Sequence, residues 1–126
     1  MILTTAAATC LAMNIYFEAR GEDYDGQKMI AEVTISRVVD DAFPDTICDV
    51  VWEPGAFSWT NDGKADRPRD KKAWDIARRI ASETLIYGCE LCTGAVYYHE
   101  KSISPYWADD MDVVGMWGSH IFYAND

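Results

Sequence analysis

Residues 10–22 read Cys10-Leu11-Ala12-Met13-Asn14-Ile15-Tyr16-Phe17-Glu18-Ala19-Arg20-Gly21-Glu22. Leu11, Ile15 and Glu18 follow the i, i+4, i+7 spacing of one helix face, so a carboxylate stands on an apolar stripe. Gly21 is a natural helix C-cap, which puts Glu18 in the last turn, at the negative end of the helix dipole. Burial and dipole both push a carboxyl pKa upward, as a general acid working near neutral pH requires. The competing role for Glu18 is a structural ion pair with Arg20 or Arg37. Spacing alone leaves both open.

Working outward, the first helix runs from about Thr5 to Arg20. A second begins near Asp25 and continues through Met29, Ile30, Val33 and Arg37 to about Val39. Phe43-Pro44 breaks the chain, and Asp45 or Thr46 can cap a short helix carrying Ile47, Val50 and Val51. After Pro54-Gly55, the stretch Ala56 to Thr60 reads as a strand, and Asn61-Asp62-Gly63 is a hairpin-turn signal. The longest helical pattern follows, with Ala73, Ala77, Ile80, Ala81 and Thr84 on one face and Gly88 as its stop. Val96 to His99 and His120 to Tyr123 have strand character, separated by an irregular loop. The pattern predicts an α+β domain, mostly helical, with three main helices and a small antiparallel sheet. No linker or repeat divides residues 1–126, so one domain is expected.

Composition narrows the functional classes. The chain is 49% hydrophobic and 13% aromatic, enough for a packed core and too apolar for a disordered segment. Its net charge of −10 argues against nucleic acid or an anionic membrane as partner, since either polyanion would repel it. No apolar run approaches the ~20 residues that span a bilayer, so no membrane insertion is expected. The first residues lack a basic stretch followed by a long apolar one, so no export signal is expected either.

The cysteines and histidines raise a metal question. Cys89 and Cys92 with His99 and His120 make four potential zinc ligands, but their spacing matches no compact zinc pattern, and no metal or other cofactor is expected. Four cysteines are too few to define a disulfide scaffold, and Cys10 and Cys48 read as buried thiols. His99 and His120 suit hydrogen bonding within the small sheet or contact with substrate.

Phe57, Trp59, Tyr97, Tyr98 and Trp107 offer flat rings and polar tips of the kind that meet sugars. In an alternating strand, Phe57 and Trp59 would share one face and Ser58 and Thr60 the other. Ser58 and Thr60 are then the expected polar lining of a cleft, with Tyr98 opposite. Trp52, Trp74 and Trp117 are expected to pack.

Beyond residues 10–22, distinctive blocks continue through Gly26-Gln27, Ile35-Ser36-Arg37-Val38 and Phe43 to Val51. They go on through Pro54 to Trp59, Gly94 to His99, Pro105-Tyr106-Trp107-Ala108 and Gly118 to Tyr123. In this order, over nearly the whole chain, they resemble the SleB/CwlJ-type cell wall hydrolases, a family of spore cortex-lytic enzymes and phage lysins. The resemblance implies a lysozyme-like fold acting on peptidoglycan glycan strands. A single glutamate matching Glu18 would be the catalytic acid/base, cleaving between N-acetylmuramic acid and N-acetylglucosamine. Attack by the muramyl 6-hydroxyl gives a lytic transglycosylase, whereas a hydrolytic muramidase needs water and a second carboxylate. Glu22 and Asp62 are candidates for that carboxylate, although a loop hydrogen bond and turn geometry account for them more simply. Phe57, Ser58, Trp59, Thr60, Tyr97, Tyr98 and His99 are the expected substrate contacts. A monomer is expected, resembling a phage lysin made in the host cytoplasm and released to the wall by a separate membrane-lesion protein. Two readings from other classes stand beside this one: a peptidoglycan amidase or peptidase, and a non-catalytic glycan-binding module.

Overall fold

The computed structural model describes residues 4–64 and 66–125. Helix α1 spans Thr5–Ala19, opened by the Thr4 hydroxyl, which accepts from the Ala7 amide at 2.9 Å. Gly21, at φ +87°, turns the chain sharply out of it. Asp23 then caps α2 (Tyr24–Val38) through the Gly26 amide at 2.8 Å. Of the two cap candidates for α3 (Ile47–Val51), Thr46 takes the role. Asp70 caps α4 (Lys71–Tyr87), which ends at Gly88.

Helix α1 is the centre of the helical layer. Leu11, Ile15 and Tyr16 are buried against Met29, Ile30 and Val33 of α2 and Ala77, Ile80 and Ala81 of α4. Each fully buried aliphatic side chain here contributes roughly 1.5–3 kcal/mol. This packing fixes the rotation of α1 and therefore the direction in which Glu18 points.

The sheet has three antiparallel strands in the order β1 (Tyr97–Glu100), β3 (His120–Ala124), β2 (Asp112–Trp117). Tyr98 pairs with Phe122 and Glu100 with His120 across β1 and β3. The Glu32 carboxylate of α2 accepts from the Glu90, Leu91 and Cys92 amides at 2.7, 3.2 and 3.0 Å. It thereby ties down the loop that leads into β1.

Three expectations need correction. Residues 56–60 form no strand: Ser58–Asn61 is a 3-10 turn, with the Thr60 amide and hydroxyl both bonded to the Phe57 carbonyl at 3.2 and 2.8 Å. Alternation of polar and apolar residues becomes a strand only where a partner strand is present, and among the described residues none lies beside this segment. Asn61-Asp62-Gly63 is accordingly a turn without a hairpin. Strand β2 occupies what the sequence reads as irregular loop; it is largely exposed, contains Gly115 and shifts register between Val113 and Gly115, which hides its alternation.

The cysteines give the third correction. Cys10 and Cys48 are not thiols but a disulfide joining α1 to α3, Cα atoms 5.3 Å apart and 38 positions apart in sequence. Closing a loop of that length is worth about 4 kcal/mol in the chain-entropy picture. Cys89 and Cys92 form a second disulfide within one turn. Pairing ties up the sulfurs that a metal would need, and among the described residues no cluster of three His, Cys, Asp or Glu side chains is arranged to hold an ion.

Candidate active site

Between the end of α1 and the sheet lies an open cleft of about 520 Å³. Glu18 and Arg37 line it from the helical side, Phe43 and residues 53–58 from one wall, and Tyr97 to Glu100, Pro105, Trp107 and His120 from the other. Glu18 is half-buried at this junction. Its Oε1 accepts a hydrogen bond from the Tyr98 hydroxyl. Burial pushes the Glu18 carboxyl above its ordinary range, while the Tyr98 hydrogen bond and the positive charge of Arg37 pull the other way; burial prevails. The result is a carboxyl that keeps its proton to higher pH than a free glutamate, facing an open cleft.

The ion-pair role weighed for Glu18 is filled by neither arginine. Arg20 donates to the Tyr16 hydroxyl at 2.6 Å. Arg37 donates from Nε to the Val96 carbonyl at 2.7 Å, and its guanidinium lies 4.9, 5.0 and 5.2 Å from the ring centres of Phe43, Phe57 and Tyr97. It acts as a buried cationic pin between the helical layer and the aromatic wall of the cleft.

The expected contact residues divide. Ser58, Tyr97 and Tyr98 line the cleft, with Phe57 buried beneath it and stacked on Tyr98 at 6.3 Å. His99 also lines it, but both ring nitrogens serve the fold, one facing the Glu100 carbonyl and the other the Tyr123 hydroxyl, each at 2.7 Å. Trp59 and Thr60 lie elsewhere. Trp59 is buried with its indole donating to Asn14 at 2.8 Å and its ring stacked on Phe17 at 4.7 Å. The Thr60 hydroxyl is spent on Phe57. Trp74 and Trp117 pack edge-on against Tyr16 and Phe122, whereas Trp52 is 42% exposed.

Of the two further carboxylates considered, Asp62 lines a different depression, with Arg20, Arg67 and Arg69. Glu22 bonds a backbone amide, as its loop position suggests: its Oε1 accepts from the Ser119 amide at 3.0 Å and from the Ser119 hydroxyl. These bonds hold its pKa below the ordinary carboxylate range. Sequence reasoning overlooked Glu53, which lines the cleft and, like Glu18, lies near enough to Arg37 to favour its charge. The Pro54-Gly55 break beside it was the available signal, since loops at such breaks carry site residues.

The family model described as Cell Wall Hydrolase matches residues 21–123. The chain belongs to the cell wall hydrolase family. Among curated relatives of this cell wall hydrolase, the spore cortex-lytic enzyme of Oceanobacillus iheyensis is 34% identical over 113 residues, covering 89% of the chain and 39% of the relative. That of Bacillus subtilis is 34% identical over 114 residues, covering 89% and 35%. The chain thus spans well under half the length of these relatives. Among solved structures, the catalytic domain of the germination-specific lytic transglycosylase SleB from Bacillus anthracis superposes with a TM-score of 0.77 at 28% identity, covering 96% of each chain. The catalytic domain of the Bacillus cereus SleB protein gives 0.75 at 26%, covering 98% and 94%. The mostly helical, lysozyme-like α+β architecture expected from the sequence is therefore the architecture of this cell wall hydrolase. Glu18 lies just before the stretch matched by the family model, so the case for it rests on the geometry of the cleft.

Proposed function

We propose that this cell wall hydrolase cleaves the glycosidic bond between N-acetylmuramic acid and N-acetylglucosamine in peptidoglycan glycan strands, as a lytic transglycosylase. The observation that carries the reading is Glu18: a half-buried carboxyl with a raised pKa, held by Tyr98 at the floor of an open, aromatic-walled cleft. Protonated Glu18 gives its proton to the glycosidic oxygen as the bond to the muramyl C1 breaks. The muramyl 6-hydroxyl then attacks C1, and its proton returns to the Glu18 carboxylate. Atoms and charge balance without water, and the product carries a 1,6-anhydro end.

One observation favours a second reading. Glu53 lines the same cleft, so a carboxylate able to activate water is at hand. A hydrolytic muramidase is the outcome if Glu53 rather than the 6-hydroxyl completes the reaction. The two disulfides suit a protein that works outside the reducing cytoplasm, at the wall. A monomer acting on the wall, by release as a lysin or by another route, is the setting we propose. The lysin setting is carried by the resemblance of the sequence motifs, whereas the spore cortex-lytic relatives are named for the spore cortex.

Digestion of purified peptidoglycan by the Glu18→Gln variant tests the mechanism. The substitution keeps shape but removes the transferable proton, and turnover should fall at least ~10²-fold. A carboxyl with a raised native pKa binds its proton more tightly folded than unfolded, so it destabilises the fold as pH rises through the interval above its ordinary pKa. The variant should therefore be at least as stable as the parent at neutral pH. Wild-type turnover by it would remove Glu18 from the mechanism. Mass spectrometry of the wild-type digest should find 1,6-anhydro-muramic ends, and label from heavy-oxygen water at reducing ends would establish hydrolysis instead.

A further inference from the structure

The Gly118-Ser119 turn between β2 and β3 brings His120 into the cleft and Glu22 up behind it. His120 lines the cleft together with Glu18, and its ring meets that of Tyr98 edge-on at 5.3 Å. Its Nδ1 is shut away from solvent with no hydrogen-bond partner among the described residues, and faces Glu22 Oε1 at 3.5 Å. Buried ring nitrogens are rarely left unpaired in a native fold, so this one calls for a reason. Glu22 cannot swing closer, because Ser119 holds the same oxygen through both its amide and its hydroxyl. Gly118 leaves it room: a Cβ there would stand 2.7 Å from Glu22 Oε2. The carboxylate is thus fixed as a charge behind the imidazole, and it favours the tautomer with the proton on Nδ1. The polar atom left for the cleft is then Nε2, with its lone pair free.

We propose that His120 is a second substrate-contacting residue, its Nε2 accepting a hydrogen bond from a sugar hydroxyl of the glycan bound beside Glu18, with Glu22 as the positioning residue that selects the tautomer. This rests on the glycan-cleaving reading above. The groups facing His120 agree with a neutral ring. Burial lowers its pKa, Glu22 and Glu100 oppose that, and His99 adds to it; burial prevails, so the lone pair is available at neutral pH. Tyr98 and Phe122 contribute only ring edges. The arrangement separates two tasks: Glu18 supplies the proton, and His120 orients a hydroxyl near it.

Nitrogen-resolved NMR of the free wild-type protein reads the tautomer directly and depends on no activity. The proton should sit on Nδ1, and in the Glu22→Gln variant that preference should weaken and the His120 pKa fall. Adding an N-acetylglucosamine oligomer should shift the Nε2 resonance. On purified peptidoglycan, the His120→Phe variant, which keeps an aromatic ring beside Tyr98, should lose about 10-fold in turnover, the scale of one hydrogen bond. The His120→Gln variant, whose amide can reach the same point, should recover part of that loss. A proton on Nε2 in the free wild-type protein overturns the proposal, as does full turnover by His120→Phe. An Nδ1 proton with a sugar-induced Nε2 shift would support it even if Glu18→Gln proved active, which would sink the Glu18 mechanism alone.

Discussion

Glu18 and Glu22 stand four residues apart, either side of Gly21, and their environments drive them in opposite directions. Glu18 lies in the last turn of α1, is desolvated at the junction of helices and sheet, and receives one hydrogen bond; its pKa rises. Glu22 has left the helix, receives two hydrogen bonds from Ser119 and lies near His120; its pKa falls. Had the helix continued through Gly21, the two would share a face and repel each other. The break therefore turns one local pair of acids into a proton donor and a fixed anion. Identity of side chain decides little here: burial dominates at Glu18, and the hydrogen bonds from Ser119 dominate at Glu22.

The largest effect should come from Glu18→Gln, which removes the donor side of this contrast entirely. Next is Gly118→Ala. The new methyl would stand 2.7 Å from Glu22 Oε2 at a residue with φ +60°, combining strain with a clash against the anion. We expect a loss of about 1–3 kcal/mol in urea unfolding. Gly21→Ala is the control without the clash, because φ is +87° but among the described residues nothing lies within 4 Å of its Cβ, and it should cost less. Equal costs would mean that the Glu22 site is softer than its hydrogen bonds imply.

Tyr98→Phe sharpens the contrast from the other side. The Tyr98 hydroxyl favours the charged form of Glu18, so removing it should raise the carboxyl pKa further. The pH above which activity is lost should move upward, with turnover at the optimum within about 10-fold of wild type. A downward move would show that Tyr98 stabilises the protonated acid instead. The smallest effect concerns charge at long range. With a net charge of −10, attraction to an anionic wall cannot guide binding, and ions screen repulsion beyond ~8 Å at physiological strength. Lysis of purified walls should hold or rise from low to moderate salt. A steep loss would point to the basic stretch from Lys64 to Lys72 as a guide.

Much of the helical layer could be read directly. Helix positions follow from caps and periodicity that lie within a few residues of one another: Asp23, Thr46 and Asp70 each accept from an amide three residues on. The sheet was half legible. Strands β1 and β3 carry aromatic runs, but β2 is largely exposed, contains Gly115 and shifts register, so little alternation betrays it. Gly118-Ser119 between Trp117 and His120 was a two-residue hairpin signal that, taken with β3, pointed to β2.

The sequence by itself determined where the helices lie, that Glu18 sits on an apolar stripe near a helix end, and which family the chain resembles, because each is written in local spacing or in ordered motifs. Only the tertiary structure decided that Cys10 meets Cys48, that Trp59 turns inward to Asn14 while Ser58 stays on the rim, and that Glu22 stands behind His120. Those outcomes depend on contacts between residues 38 to 98 positions apart in the chain. No periodicity reaches that far; the packing of the helices around α1 and the pairing of the strands do.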